Sequence, residues 1–154
     1  MTRKFDFHLL LHSAALVEEE LRQRLALVKL LPRQARVIDA LDRMGQASQI
    51  ELAREFGVTP ASMSTMTARL ISAGFISRTT NPTEARSNVL RLTPRGEELL
   101  GKIHASWREV DLLIESRLGP DKSGALTRLT GELRDQLGGT NPTPHRSQQT
   151  AETS

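Results

Sequence analysis

The chain has 154 residues, of which 38% are hydrophobic, 25% charged and 3% aromatic, with a formal net charge of +3. This length suits one domain with room for an appended oligomerisation element, and the absence of cysteine excludes disulfides and thiolate metal sites. No apolar run reaches membrane-spanning length, and histidines and acids interrupt the apolar N-terminal stretch, so we expect no membrane partner, no signal peptide and a cytoplasmic location.

The first two predicted helices come from the spacing of apolar residues. From residue 5 to about 28, apolar residues recur every three or four positions, which predicts a long amphipathic helix. A second helix is predicted over about 33–44. Pro32 lies in the link before this helix or in its first turn, and Gly45 closes it.

Capping signals next define a helix, a tight turn and another helix. The sequence Ser48-Gln-Ile-Glu51 has the form of a capping box and starts a short helix that Gly57 ends. Thr59-Pro60 follows as an N-cap residue with proline at the first helical position, so residues 59–70 are predicted to be helical. On that helix Met63, Met66 and Leu70 fall within about 60° of one another and form the inner stripe, while the opposite side is small, polar and free of acids.

After Gly74 the pattern changes from helical to extended. Residues 75–80 and 87–92 have strand-like composition, and the polar segment 81–86 joins them, so a β-hairpin with a long tip is predicted. The resulting order is that of a winged helix-turn-helix, whose second helix enters the major groove of DNA. Arg86 in the hairpin tip would then reach the adjacent minor groove or the backbone.

Two further helices follow the hairpin. The pair Thr93-Pro94 repeats the cap and proline, and apolar spacing predicts a long helix up to about residue 118, where a Gly-Pro pair ends it. A last amphipathic helix is predicted over about 121–137. Residues 138–154 have little to bury and are predicted to be disordered.

The predicted fold is therefore mainly α with a small β-hairpin wing. Residues 33–93 are assigned to a winged helix-turn-helix DNA-binding domain, 5–30 and 94–137 to a helical dimerisation region, and 138–154 to a tail. The terminal helices are longer than the winged domain needs, so their apolar stripes should pair across a twofold axis. The residues predicted at this dimer interface are Leu10, Ala14, Val17, Leu129, Leu133 and Leu137.

Positive charge is concentrated in the predicted winged domain. Between Leu52 and Gly96 there are six basic residues, all arginine, and two acidic ones, so this segment carries +4 and the rest of the chain −1. Arginine suits forked phosphate contacts, which points towards a polyanionic partner, although charge alone is equally consistent with a solvated basic face. Together with the winged helix-turn-helix order, it predicts double-stranded DNA as the partner. The predicted DNA-contacting residues are Thr59, Ala61, Ser62, Ser64, Thr65, Ala68, Arg69, Arg78, Arg86 and Arg91.

Four segments in this order, together with Arg86 in the wing, carry a family resemblance. They are Leu31-Pro-Arg-Gln-Ala-Arg-Val-Ile-Asp-Ala-Leu41, Ile50-Glu-Leu-Ala-Arg-Glu-Phe-Gly-Val-Thr59, Arg69-Leu-Ile-Ser-Ala-Gly-Phe-Ile-Ser-Arg78 and Leu92-Thr-Pro-Arg-Gly96. From about Leu9 to Leu137 the chain resembles the MarR family of bacterial transcription regulators. The resemblance implies a homodimer that binds pseudo-palindromic operators and usually represses transcription. It also implies that a small, often aromatic or anionic, effector releases DNA by binding between the dimerisation helices and the winged domain.

Other readings of the sequence are less favoured. His8 and His12 share a helical face, but no cysteine or obvious carboxylate completes a metal site, so packing at a dimer seam is expected and no metal or cofactor is predicted. Trp107 is expected in core or dimer packing, with a ligand wall as the alternative. No nucleophile, phosphate-loop or zinc-protease motif is present, so an enzyme is not expected. The alternative function is that of a non-catalytic helical protein whose winged domain contacts other proteins.

Overall fold

The computed structural model of the protein describes residues 5–80 and 88–142. The elements in this part of the chain are α1 (Phe7–Ala26), α2 (Pro32–Met44), β1 (Ala47–Ser48), α3 (Gln49–Phe56), α4 (Pro60–Ser72), β2 (Ile76–Thr80), β3 (Asn88–Leu92), α5 (Pro94–Leu118) and α6 (Pro120–Gln136). This arrangement confirms the predicted mainly α fold with a hairpin wing. The hairpin tip and residues 143–154 of the predicted tail lie outside the described residues.

The helices begin and end where the capping residues predicted. The Ser48 hydroxyl accepts a hydrogen bond from the Glu51 amide at 3.1 Å, and the Glu51 carboxylate accepts one from the Ser48 amide at 2.7 Å. Thr59 accepts from the Ser62 amide at 3.1 Å, which caps α4. Gly57 ends α3 in the left-handed conformation, with φ +61°. Caps of this kind each stabilise a helix by about 1 kcal/mol.

A short strand that the sequence did not predict attaches the wing to the helices. In β1, Ala47 pairs with Leu90 and Ser48 with Val89, so the sheet is antiparallel with the order β1-β3-β2. Two residues are too few to show the alternating pattern by which strands are recognised in a sequence. The consequence is that the segment leading from α2 into α3 holds the hairpin through the middle of β3.

One apolar core lies beneath the winged domain and extends to the long helices. Leu25 of α1 and Ile103 of α5 have no exposed surface and pack into the same core as the helix-turn-helix. The other large side chains with almost no exposed surface are Val37, Ile38, Leu41, Leu52, Met63, Leu70, Ile76 and Leu90. The two long helices and the winged domain are thus packed together at this core.

Away from the core, α1 and α6 are poorly buried. Only Leu25 is buried in α1, and α6 has no buried residue. All six residues predicted at the dimer interface are exposed in the single chain. Across residues 5–80 and 88–142, we find no helix with the length and apolar character that crossing a membrane requires.

Candidate nucleic-acid interface

Helix α4 is held against the domain by apolar and polar contacts on its inner face. Met63, Thr67 and Leu70 are buried. The Gln49 amide donates a hydrogen bond to the Thr67 hydroxyl at 2.9 Å, and that hydroxyl donates to the Met63 carbonyl at 2.9 Å. Residue Gln49 belongs to α3, so this bond fixes the rotation of α4 relative to the preceding helix.

The outer face of α4 is exposed along its whole length, as its helical spacing predicted. The residues of this face and of the N-cap that were predicted to contact DNA, all exposed, are Thr59, Ala61, Ser62, Ser64, Thr65, Ala68 and Arg69. We call this set the α4 face. The helix contains no acidic residue. A surface of small side chains without negative charge permits close approach of a phosphate backbone.

Three hydroxyls of the α4 face already make hydrogen bonds within the protein. Thr59 Oγ1 caps the helix and donates to Ser62 Oγ at 3.1 Å, and Thr65 Oγ1 donates to the Ala61 carbonyl at 3.2 Å. A hydroxyl that donates its hydrogen keeps lone pairs that accept from a base amino group. The role of Thr59 shown here is that of an N-cap, whereas Thr65 and Ser62 retain capacity towards a partner.

Arg78 and Arg91, the wing arginines among the described residues, lie on opposite faces of the hairpin. Cross-strand partners in a hairpin lie on the same face, so Arg78, opposite Leu90, is on the other face from Arg91, opposite Ser77. Both side chains are exposed, and Arg91 also donates a hydrogen bond to the Gln46 side-chain oxygen. Arg91 therefore tethers the wing to the segment between α2 and β1, and a DNA contact from it would compete with Gln46. Arg86 lies outside the described residues, and its DNA contact stays a prediction.

Sequence reasoning missed the two glutamines of this region. Gln46 and Gln49 flank the two-residue strand and bind Arg91 and Thr67, which lie 45 and 18 positions further along the chain. The only local signal was that Thr67 lies beside the inner stripe, where an apolar residue is the common choice. A buried hydroxyl requires a partner, but the spacing of residues does not say which side chain supplies it.

A cavity of about 520 Å³ lies between the long helices and the helix-turn-helix. Its wall includes Trp107 of α5 and Phe56 of α3, and the Arg36 guanidinium stacks over the Phe56 ring at 5.0 Å from the ring centre. The volume is in the range of small-molecule sites, and aromatic walls with a few polar groups are typical of them. The hypothesis that Trp107 contributes to a ligand wall is consistent with this position.

A series of side-chain hydrogen bonds runs beside this cavity and connects three helices, and its arginine–carboxylate contacts are ion pairs. His104 Nε2 of α5 lies 2.8 Å from Asp39 Oδ1 of α2, and Arg43 Nε donates to Asp39 Oδ2 at 2.9 Å. Arg43 Nη1 then donates to Glu55 Oε1 of α3 at 3.2 Å. We call this series the α5–α2–α3 ion chain. It provides a direct connection between the long helices and the helix-turn-helix.

Three of the six residues predicted at the dimer interface border an apolar groove. Its lining includes Leu10, Ala14 and Val17 of α1, Ile114 of α5 and Leu126 of α6. The other three predicted residues lie outside this lining and are exposed: Leu129 and Leu133 on α6, and Leu137 directly after it. His8, which shares a helical face with His12, stacks its ring on Phe7 with the ring centroids 4.1 Å apart. The described part of the chain has no group of three or more His, Cys, Asp or Glu residues that could hold a metal ion.

Comparisons with known proteins agree with this geometry. Residues 30–87 match the model of the MarR family. The HTH-type transcriptional repressor Rv2887 of Mycobacterium tuberculosis is 33% identical over 86 residues, which cover 56% of this chain. The matched region spans only 62% of that relative's length.

Solved structures extend the likeness beyond the winged domain. The transcriptional repressor CouR, bound to a 23-mer DNA duplex, superposes with a TM-score of 0.78 at 25% identity, covering 84% of this chain and 92% of CouR. The transcriptional regulator PA4135 gives 0.71 at 26% identity, covering 86% and 98%. A mutant MarR from E. coli complexed with operator DNA gives 0.75 at 19% identity, covering 83% and 92%, and this last match concerns the fold alone.

Proposed function

This chain belongs to the MarR family through residues 30–87, and from that premise we propose that it is a cytoplasmic transcription regulator that binds double-stranded DNA as a homodimer and represses transcription. The observation that carries the proposal is the α4 face, which is exposed, small and free of acids. The DNA complex of CouR, which shares the fold at 25% identity, supports it. A twofold axis would place two α4 helices one DNA turn apart, about 34 Å.

Footprinting on the DNA that flanks the protein's own gene tests this function. We expect protection of two half-sites about 10 base pairs apart, centre to centre. If no duplex from this region is bound even at low salt, DNA binding is wrong as the function. The alternative, a helical protein that uses the winged domain for protein contacts, would then account better for the exposed α4 face.

Arg69 supplies the long basic side chain of the α4 face, and we propose that it contacts a phosphate. Arg69→Ala should weaken duplex binding and make the slope of log affinity against log salt shallower by about 1, because one fewer counterion is released. Fluorescence anisotropy between low and moderate salt measures this slope. The control is Arg117→Ala, which removes the same exposed charge from α5 and should leave the slope unchanged. Equal slopes for Arg69→Ala and the unmodified protein would contradict the contact.

The proposed dimer buries the exposed leucines of α6 against a second copy of the chain. Leu133→Glu should raise the dimer dissociation constant by about 100-fold, because an unpaired carboxylate would be desolvated in the interface. Light scattering at micromolar concentration should then report the mass of one chain, against two for the unmodified protein. Leu27→Glu is the control, since Leu27 is 87% exposed just after α1 and lies outside the apolar stripes. A dimer mass for Leu133→Glu would contradict this interface.

We further propose that a small effector binds the cavity beside Trp107 and relieves repression. The α5–α2–α3 ion chain supports this proposal because a ligand that displaces Arg43 from Glu55 would shift α3. Helix α4 follows α3 after a short turn, so its presentation to DNA would change with it. A compound that quenches Trp107 fluorescence and releases duplex over one concentration range would support an effector role. Quenching without release would contradict it.

A further inference from the structure

After α6 the chain enters a turn that requires glycine at two positions, Gly138 and Gly139. The Gly138 amide donates to the Asp135 carbonyl at 3.1 Å and the Gly139 amide to the Arg134 carbonyl at 2.9 Å, which is the Schellman pattern of helix ends. Gly138 has φ +81°, where other residues are strained. A Cβ on Gly139 would lie 2.5 Å from Arg134 Cγ and 3.0 Å from its carbonyl oxygen. The direction in which the chain leaves α6 is therefore set by this pair.

The turn directs the next three residues to the cavity beside Trp107. Thr140, Asn141 and Pro142 form one side of its wall, and Trp107 belongs to the same wall. Proline restricts the residue before it to extended conformations, so Asn141 is favoured in the open, extended form that a rim segment needs. The three residues thus join the end of α6 to a cavity whose other walls come from α1, α2, α3 and α5.

We propose that residues 140–142 are a strap that closes this cavity and controls which small molecules enter it. The strap carries a hydroxyl and an amide, so it adds hydrogen-bonding groups to a rim whose other members are aromatic, aliphatic and charged. The Gly138–Gly139 turn places the strap at the rim without a bound ligand. An effector role for the molecules that enter rests on the proposed function, whereas closure of the cavity by the strap does not.

The accessibility of Trp107 to a fluorescence quencher tests the strap, because Trp107 is the only tryptophan of the chain. In the full-length protein, Gly138→Ala combined with Gly139→Ala should misdirect the strap and raise the acrylamide quenching constant of Trp107 about twofold, as expected for an opened lid. The matched control is Gly131→Ala, where an added Cβ meets nothing within 4 Å and quenching should stay unchanged. Unchanged quenching in the double variant, with circular dichroism showing a folded protein, would overturn the proposal.

A second measurement reports the position of the strap without disturbing the turn. Since the chain has no cysteine, Asn141→Cys can be labelled at one site with bimane, which a nearby tryptophan quenches on contact. We expect the emission to rise when Trp107→Phe is added, and equal emission with and without Trp107 would overturn the proposal. Neither readout uses DNA, so a failure of the strap is distinguishable from a failure of the regulatory function.

Discussion

Replacing Thr65 by Glu should lower the affinity of the protein for its operator duplex by about 100-fold, which corresponds to about 3 kcal/mol for a like charge brought against phosphate. Thr65 is exposed in the middle of the α4 face, and the unmodified helix contains no acidic residue. The substitution leaves the buried contacts of Met63 and Leu70 in place, so the fold should persist. The loss therefore measures whether this face meets a polyanion.

Thr65→Gln is the control for that experiment, because Gln has nearly the size of Glu and lacks its charge. Anisotropy with a labelled duplex should give Thr65→Gln an affinity within about tenfold of the unmodified protein, since it loses short contacts only. Thermal unfolding should show both variants folded. If Glu and Gln weaken binding equally, the α4 face does not approach phosphate and the proposed recognition helix is wrong.

Replacing Gly96 by Ala should destabilise the protein by about 3 kcal/mol, the upper end for overpacking a close contact. A Cβ at this position would lie 2.2 Å from the Phe75 carbonyl oxygen, which is a backbone atom that cannot rotate away. The same carbonyl accepts a hydrogen bond from the Thr93 amide at 3.1 Å. The added methyl would separate the start of α5 from the start of the hairpin, so DNA affinity should fall with stability.

Urea unfolding followed by circular dichroism measures this loss. Gly101→Ala is the matched control, because Gly101 lies on the same helix and an added Cβ there meets nothing within 4 Å. That control should leave stability unchanged or raise it by about 0.5–1 kcal/mol, since Ala is the better helix former. Similar unfolding midpoints for the two variants would contradict this prediction, because they would show that the contact between α5 and the hairpin adjusts to the added methyl without loss of stability.

Most of the helical architecture could be read from local signals in the sequence. The Ser48 capping box, the N-caps Thr59 and Thr93 and the left-handed Gly57 act within one turn of the residues they control. The exposed side of α4 was also predictable, because a period of 3.6 residues assigns each position to a face. The apolar residues Met63, Met66 and Leu70 identify the inner side, so the opposite side was expected to be exposed.

The contacts of the wing and of the cavity were not predictable in this way. Two residues of β1 cannot show a strand pattern, and the pairing register decides that Arg78 and Arg91 lie on opposite faces. The partners in the α5–α2–α3 ion chain come from three helices, with His104 lying 65 positions from Asp39. No local pattern states which of several charged residues will meet across such a separation.

The sequence by itself determined the helices, their ends, the inner and outer sides of α4 and the resemblance to the MarR family, because capping and periodicity depend on neighbours within a few residues. The tertiary structure decided the rest. It set the opposed wing arginines, the Gln49–Thr67 and Gln46–Arg91 bonds, the close approach of Gly96 to Phe75, and the cavity that the strap borders. These features depend on how distant segments pack, and packing selects one partner among many that the local sequence permits equally.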